Sequence, residues 1–353
     1  MSQRSLSRTQ ADLAEAAGLH RVTVAKALRG DRTISETTRK RVRKLASEIG
    51  YRPNAAARAM RAGQFGQIAL LLSAHPGRSY LPQQTLDGIS GAVSGREMYL
   101  AIARLPDEKL TAAGFVPKIL REYSCDGMLI DYTDDIPAAM IELIEDLGQP
   151  AIWLNRKHSR DCVYPDDLAI GRQATERLLA AGHRRIAYVD RGAGWKQLAQ
   201  AHYSQRDRQA GYVEAMTAAG LKPRILRRED STVKETPRDF HQAMVDLLGE
   251  DDRPTAFVTY SRVFAQNIGT AALRRGLSVP ADVSLVTVSY QAEVTVDGLW
   301  IDFVMTPTRA CGVAGIDAVL ARCERPAAHL PPRAIAPVGF YEGQTVAPPR
   351  AAQ

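Results

Sequence analysis

The residues in this chain with the most evident capacity for chemistry are its arginines and lysines, and they crowd one end. Residues 1–63 hold 14 Lys and Arg against five Asp and Glu, a net +9, while the whole chain carries +7, so the rest is close to neutral at −2. A small basic head on a near-neutral body predicts a polyanionic partner. Charge alone leaves nucleic acid and an anionic membrane surface both open. Catalytic chemistry has no such concentration: GxSxG, HExxH, a Walker loop and a complete GxGxxG are all missing, and Gly192-Ala193-Gly194 is only a fragment of the last. Asp166-Asp167 resembles a carboxylate pair, but sequence neighbours rarely face each other, so a loop or cap role is expected. Cys125, Cys162, Cys311 and Cys323 are far apart and form no CxxC, which predicts ordinary thiols in a reducing cytoplasm rather than a metal or redox site.

The arrangement of the head narrows the partner. Thr9 to Ala17 are good helix formers with Leu13, Ala14 and Ala17 on one face. Gly18 stops that helix, and Leu19 can plug the core beneath the turn. His20 to Leu28 read as a second short helix with Val24 and Leu28 inward. Small Ala14, then Gly18, then Val24 is the spacing of a helix-turn-helix: the small residue lets the helices approach, the glycine makes the corner, and the valine packs between them. Ser35 caps a third helix to about Ile49, with Val42, Leu45 and Ile49 as its apolar stripe and Arg39, Lys40, Arg41, Arg43 and Lys44 as a basic outer face. Gly50 follows as its stop. Pro53 interrupts the chain, Asn54 can cap again, and Ala55 to Ala62 make a helix too short to stand alone in water.

On Asp12-Leu13-Ala14-Glu15-Ala16-Ala17-Gly18, Thr23-Val24, Ile34-Ser35-Glu36-Thr37-Thr38-Arg39, Ile49-Gly50-Tyr51-Arg52-Pro53-Asn54 and Ala57-Arg58, the head resembles the lactose-repressor (LacI/GalR) family. The resemblance implies a DNA-binding transcriptional regulator, a dimer gripping a pseudo-palindromic duplex operator. It puts His20, Arg21, Val22, Thr23 and Lys26 in the major groove, and Asn54, Ala57, Arg58, Met60 and Arg61 on a hinge helix in the minor groove. Arg21 can fork onto guanine O6 and N7, Val22 can touch a thymine methyl, and Lys26 can reach guanine or phosphate. Two positions depart. Met60 stands where the family wedges a leucine between bases, an apolar but softer wedge. His20 stands where the family usually caps with serine, so a cap is expected to be lost and His20 either contacts phosphate or stays solvated.

From Gln67 onward, apolar strands alternate with helices. Strands are expected at Ile68–Leu72, Tyr99–Ala103, Gly127–Asp131, Ala151–Leu154, Arg185–Val189, Ala256–Thr259 and Val283–Val288. Helices are expected at Thr85–Ser94, Ala138–Leu147, Ile170–Ala181 and Arg208–Ala219. Repeated β-α alternation predicts parallel doubly wound sheets, and the length favours two lobes with a cleft. The resemblance continues through Asp166-Asp167 with Gly171, Gly182 to Ala187, Arg208 to Tyr212 and Val279 to Ser284, and implies a periplasmic-binding-protein-like core with a small-molecule effector between the lobes. By it, Arg208 grips the effector and Ser204 lines the pocket. Tyr260-Ser261 and Ser289-Tyr290 replace the Asn-Asp and Asp that the family uses on sugar hydroxyls. Tyr260 and Ser289 thus complete the expected lining. Trp153, Trp195 and Tyr260 offer stacking faces, with a core role expected for Trp153.

The organisation read from the sequence is therefore a head at 1–50, a hinge at 51–63, a core at 64–345 and a tail at 346–353. The tail has no leucine heptad to make a tetramer. No apolar run approaches the roughly 18 residues of a membrane span, and the first residues lack a signal peptide's apolar stretch, so a cytoplasmic protein with no membrane partner is expected. No cofactor or metal is expected. Two rivals stay open: a DNA-binding regulator with no effector, and an NAD-dependent enzyme with a basic arm.

Overall fold

The computed structural model describes residues 8–52, 63–75, 77–106, 124–133, 138–146, 148–190, 202–226, 237–291, 295–296 and 298–350. The chain divides into two units, Met1–Phe65 and Gly66–Gln353. In the first, α1 (Gln10–Ala17), α2 (Arg21–Leu28) and α3 (Glu36–Glu48) pack around Leu13, Ala14, Ala17, Val24, Ala27, Val42 and Ala46. Leu28, Leu45 and Ile49, expected inward, are only partly buried at its margin. Thr9 and Asp12 cap α1 reciprocally, each side chain bonding the other's backbone N–H, at 3.2 and 2.8 Å. Gly18 follows at φ +61°, where a side chain would strain the turn. The hinge stretch 53–62, with Asn54, Ala57, Arg58, Met60 and Arg61, lies outside the described residues.

The second unit holds two six-stranded sheets. The first has order β13-β5-β4-β3-β1-β2, all parallel, from β1 (Gln67–Ser73), β2 (Tyr99–Leu105), β3 (Gly127–Asp131), β4 (Ala151–Leu154), β5 (Cys162–Pro165) and β13 (Arg333–Ile335). The second has order β14-β12-β9-β8-β6-β7, from β6 (Ile186–Val189), β7 (Arg224–Leu226), β8 (Ala256–Thr259), β9 (Ser284–Ser289), β12 (Asp302–Met305) and β14 (Gly339–Tyr341). Only the β14 edge runs antiparallel. A short hairpin, β10 (Thr295–Val296) with β11 (Leu299–Trp300), stands apart. The fully buried runs Ile68 to Leu71, Met128 to Ile130 and Ala256 to Val258 explain why these strands read as continuously apolar: helices cover both faces.

Each lobe has two apolar layers, one on each face of its sheet. The chain passes between lobes more than once. Helix α6 (Asp167–Ala180) follows β5 but packs on β8, β9 and β12 of the second lobe, and α10 (Thr308–Glu324) follows β12 but packs on β3, β4 and β5 of the first. The other helices are α4 (Gln83–Ser94), α5 (Ala138–Asp146), α7 (Tyr203–Ala218), α8 (Pro237–Leu247) and α9 (Arg262–Arg274). Helices α6 and α7 start three and five residues before the sequence pattern suggests. Asp166 accepts from Ala169 N–H at 3.0 Å and His202 from Ser204 N–H at 3.4 Å, so side-chain caps rather than apolar spacing set the starts. The chain beyond residue 345 is packed on the second lobe: the Ala347 carbonyl accepts from His183, and Arg350 pairs with Asp282 at 2.7 Å.

Candidate nucleic-acid interface and ligand cleft

In the head, burial of Val24 and Ala27 turns the opposite side of α2 outward. Arg21 and Val22 are exposed, Val22 at 55%, and Thr23 and Lys26 are half-buried beside them. An exposed valine between cations is a poor choice for a solvated helix and a good one for an apolar contact flanked by phosphate or base contacts. The expected loss of a cap at His20 is corrected here. His20 Nδ1 accepts from Val22 N–H at 3.3 Å, doing the job of a serine oxygen. That bond requires the neutral tautomer with the proton on Nε2, which leaves an N–H donor on the far side of the ring. The basic outer face of α3 is also smaller than its composition suggests. Arg39 donates to the Gly30 carbonyl at 2.9 Å and Arg41 to that of Ala17, bracing the loops, and Lys40 pairs with Glu36 at 2.8 Å.

In the second unit, the carboxyl ends of β3, β4, β5, β8, β9 and β12 converge on one cleft between the lobes, where α/β folds bind ligands. Its volume is about 630 Å³, suited to a small molecule. Ser204, Arg208, Tyr260 and Ser289 all line it, so the structure brings the four expected residues together.

Their engagement differs from a set of free ligand-binding groups. Arg208 Nε pairs with Asp167 Oδ1 at 2.6 Å, its Nη1 donates to the Tyr260 carbonyl at 2.9 Å, and its guanidinium lies 4.5 Å from the Tyr260 ring centre. Burial disfavours the arginine's charge, but the Asp167 carboxylate more than restores it, and its pKa stays above the ordinary value. Two glycines make this pair possible. A Cβ on Gly171 of α6 would overlap the Arg208 carbonyl, and one on Gly211 of α7 would overlap that of Leu168. The glycines let the helices touch backbone to backbone, which brings Asp167 of α6 to Arg208 of α7.

Beside this pair runs a hydrogen-bonded chain. The Asn155 carbonyl can only accept, so His202 Nε2 donates to it at 2.8 Å and Nδ1 must accept. Ser204 Oγ lies 2.7 Å from Nδ1 and Tyr260 Oη 2.8 Å from Ser204 Oγ, so protons point from Tyr260 through Ser204 to His202. Desolvation lowers the His202 pKa and keeps that ring neutral. Ser289 Oγ is turned toward its own loop, donating to the Gln291 carbonyl at 3.1 Å.

Sequence reasoning missed Asp131, Gln205, Tyr80 and Asn155, which also line the cleft. The available signal was Asp131, a carboxylate ending an otherwise apolar buried strand. Trp153 is core, at 7% exposure; Trp195 and the 192–194 glycine fragment lie outside the described residues. Asp166 is a helix cap and Asp167 an ion-pair partner, so the two adjacent carboxylates serve separate structural tasks.

Residues 9–54 match the model of bacterial regulatory proteins of the lacI family, and residues 175–346 that of a periplasmic binding protein-like domain. The HTH-type transcriptional regulator CelR of Thermobifida fusca is 30% identical over 295 residues, 78% of this chain and 79% of the relative. This chain belongs to the lacI family. As such it is a DNA-binding transcriptional regulator. The HTH-type transcriptional repressor CytR of Escherichia coli K12 is 27% identical over 290 residues, 80% of each chain. In fold, the chain superposes on the lac repressor dimer bound to operator and the anti-inducer ONPF with a TM-score of 0.74 and 21% identity, covering 97% of this chain and 99% of that one.

Among the described residues of this family member, no cluster of His, Cys, Asp and Glu could hold a metal, and no helix is long and apolar enough to cross a membrane. All four cysteines are free.

Proposed function

We propose that this chain is a cytoplasmic repressor that binds a pseudo-palindromic operator as a homodimer, and that a small molecule in the interlobe cleft modulates its grip. The Arg21–Val22–Lys26 row on the outer side of α2 carries the DNA half of the reading: its residue types suit base edges and its helix is held by Val24 and Ala27 from behind. Two heads are needed for two half-sites, which makes the dimer the working unit. His20, Thr23 and the hinge residues Asn54, Ala57, Arg58, Met60 and Arg61 are assigned to DNA by the same reading. The effector half rests on a cleft of about 630 Å³ at the strand carboxyl ends, where Ser204, Arg208, Tyr260 and Ser289 meet. The protein acts by binding and catalyses no reaction; the relatives are regulators.

The test is binding of the full-length protein to operator selected from random duplexes, at several salt concentrations. Affinity should fall steeply as salt rises, through release of counterions from neutralised phosphates. A flat salt dependence, or no selected sequence, refutes the reading.

One observation favours a second reading, a regulator with no effector: Arg208 is already held by Asp167 and the Tyr260 carbonyl. A thermal-shift screen of small molecules separates the two. A cleft ligand that also changes operator affinity supports the first reading; a full-length protein that no compound stabilises supports the second.

A further inference from the structure

Resting on the homodimer reading, one carboxylate at the start of the core takes on a task that the operator sets. Head and core are successive parts of one chain, and the second unit begins at Gly66. Both backbone groups of Gly66 are engaged: its N–H donates to Asp126 Oδ2 at 2.8 Å, and its carbonyl accepts from the Tyr99 N–H at 2.8 Å. Its φ of +64° turns the chain into β1, a conformation that a side chain would strain. The next residue, Gln67, donates its N–H to the same Oδ2 at 3.3 Å, and its carbonyl accepts from the Asp126 N–H at 2.8 Å. Its side chain reaches the same loop, Nε2 donating to the Ser124 carbonyl at 3.2 Å.

Asp126 grips where the sheet does not. Pairing of β1 with β3 starts at Ile68 opposite Gly127, and the Asp126 carboxylate extends that grip two residues further back along the chain. The carboxylate is itself firmly based. The Asp126 carbonyl accepts from Cys323 Sγ at 3.3 Å, and a Cβ on the adjacent Gly127 would run into Val319, Cys323 and the Pro150 carbonyl, so the last turns of α10 lie directly on this backbone. Strand β1 does not depend on Asp126 for its own place: Ile68 to Leu71 are fully buried and paired with β2 on one side and β3 on the other. What the two charge-assisted bonds fix is the point at which the chain leaves the core for the head.

We propose that Asp126 is a positioning residue for operator binding: by clamping Gly66 and Gln67 it fixes the chain's exit from the core, and so sets how strictly the protein measures the distance between half-sites. Once one head is bound, the second binds at an effective concentration that depends on how far its connection lets it wander. Releasing Gly66 and Gln67 adds up to about 7 Å of reach to each head, at roughly 3.5 Å per extended residue. Two extra base pairs move the half-sites apart by about the same 7 Å, at roughly 3.4 Å each. They also turn one half-site by about 70° relative to the other. The clamp therefore keeps slack below the size of the spacing error that has to be rejected.

The test binds full-length protein to the selected operator and to versions with the central spacer two base pairs longer or shorter, and follows thermal unfolding in parallel. Wild type should lose about tenfold or more in affinity on either altered spacer, and Asp126→Ala about threefold or less. Asp126→Asn, whose side-chain oxygen still accepts, should recover the wild-type preference. Asp126→Ala should melt close to wild type, because β1 keeps its ladders and its buried side chains. An equal spacing preference in wild type and Asp126→Ala, an Asp126→Asn no stricter than alanine, or an Asp126→Ala that melts several degrees lower overturns the proposal and leaves the homodimer reading standing. A wild type that binds an isolated half-site as tightly as the paired operator overturns the homodimer reading itself, and this inference with it.

Discussion

Replacing Arg208 with methionine should destabilise the two-lobed core far more than the loss of one surface charge. The pair is buried at both ends, with side-chain exposures of 12% for Arg208 and 1% for Asp167, and the Nε–Oδ1 distance is 2.6 Å. Methionine fills much of the arginine's volume, so cavity formation contributes little, and the dominant effect is an Asp167 carboxylate left in a dry site without its cation. Removing one partner of such a pair costs roughly 3–5 kcal/mol. For a unit of this size about 2 °C is lost per kcal/mol, so the melting temperature should drop by about 6–10 °C. The double variant Arg208→Met/Asp167→Leu removes both charges and should return close to wild type, because an apolar pair of similar volume is often neutral or better. Urea unfolding followed by circular dichroism on wild type, both single variants and the double closes the cycle. A cost below about 1 kcal/mol for Arg208→Met, or strict additivity in the double, would refute the reasoning: the arginine would then be held loosely and available to a ligand in its charged form.

Other consequences reach the head and the cleft. Arg21→Ala should relax base preference at one position per half-site, at a cost of roughly 1–3 kcal/mol on the preferred site, whereas Lys40→Ala should weaken all sequences about equally; selection with each variant decides, and an unchanged preference in Arg21→Ala counts against base reading. His20→Ala should cost about 1 kcal/mol through the lost cap on α2, and His20→Ser should restore it, both read from thermal unfolding of the head; equal stability of all three would mean that the Nδ1 bond has no weight. Asp131 gives a pH signature. Its folded-state pKa is raised above the unfolded 3.8, so the fold binds that proton more tightly than the unfolded chain. Its stabilisation is complete below pH 3.8 and is lost as pH rises through the folded value. Asp131→Asn should therefore gain on wild type as pH climbs from about 4 toward neutrality, measured as urea midpoints; parallel curves would contradict it.

The head was legible almost residue by residue because its determinants are local. Thr9, Gly18, Ser35 and Gly50 act within one turn of where they stand, and the Leu13, Ala14, Val24 and Val42 core follows from helical spacing over some thirty residues. The same locality explains the error at His20. A histidine nitrogen can cap as a serine oxygen does, but only the ring's orientation shows it, and that depends on a rotamer the sequence does not specify. In the core, parallel strands buried on both faces announced themselves as apolar runs, so the α/β class and the two lobes were readable. The short strands β5, β7, β12, β13 and β14 were not, because three or four residues are too few to make a pattern. The cleft divides in the same way. Ser204, Arg208, Tyr260 and Ser289 were placed by resemblance, and the fold brings them together. That Arg208 is occupied and Asp131 unmet could not be read from the chain, since each depends on residues far apart in sequence. Asp167 lies 41 positions from Arg208, reached only because Gly171 and Gly211 let two helices close to backbone contact. Asp131 Oδ2 is unpaired at a strand end that burial has taken out of water, and desolvation is the influence that raises its pKa. Residue types and local spacing determined what each element is; which charges are neutralised, and which are left unpaired, was decided by long-range packing and the desolvation it imposes.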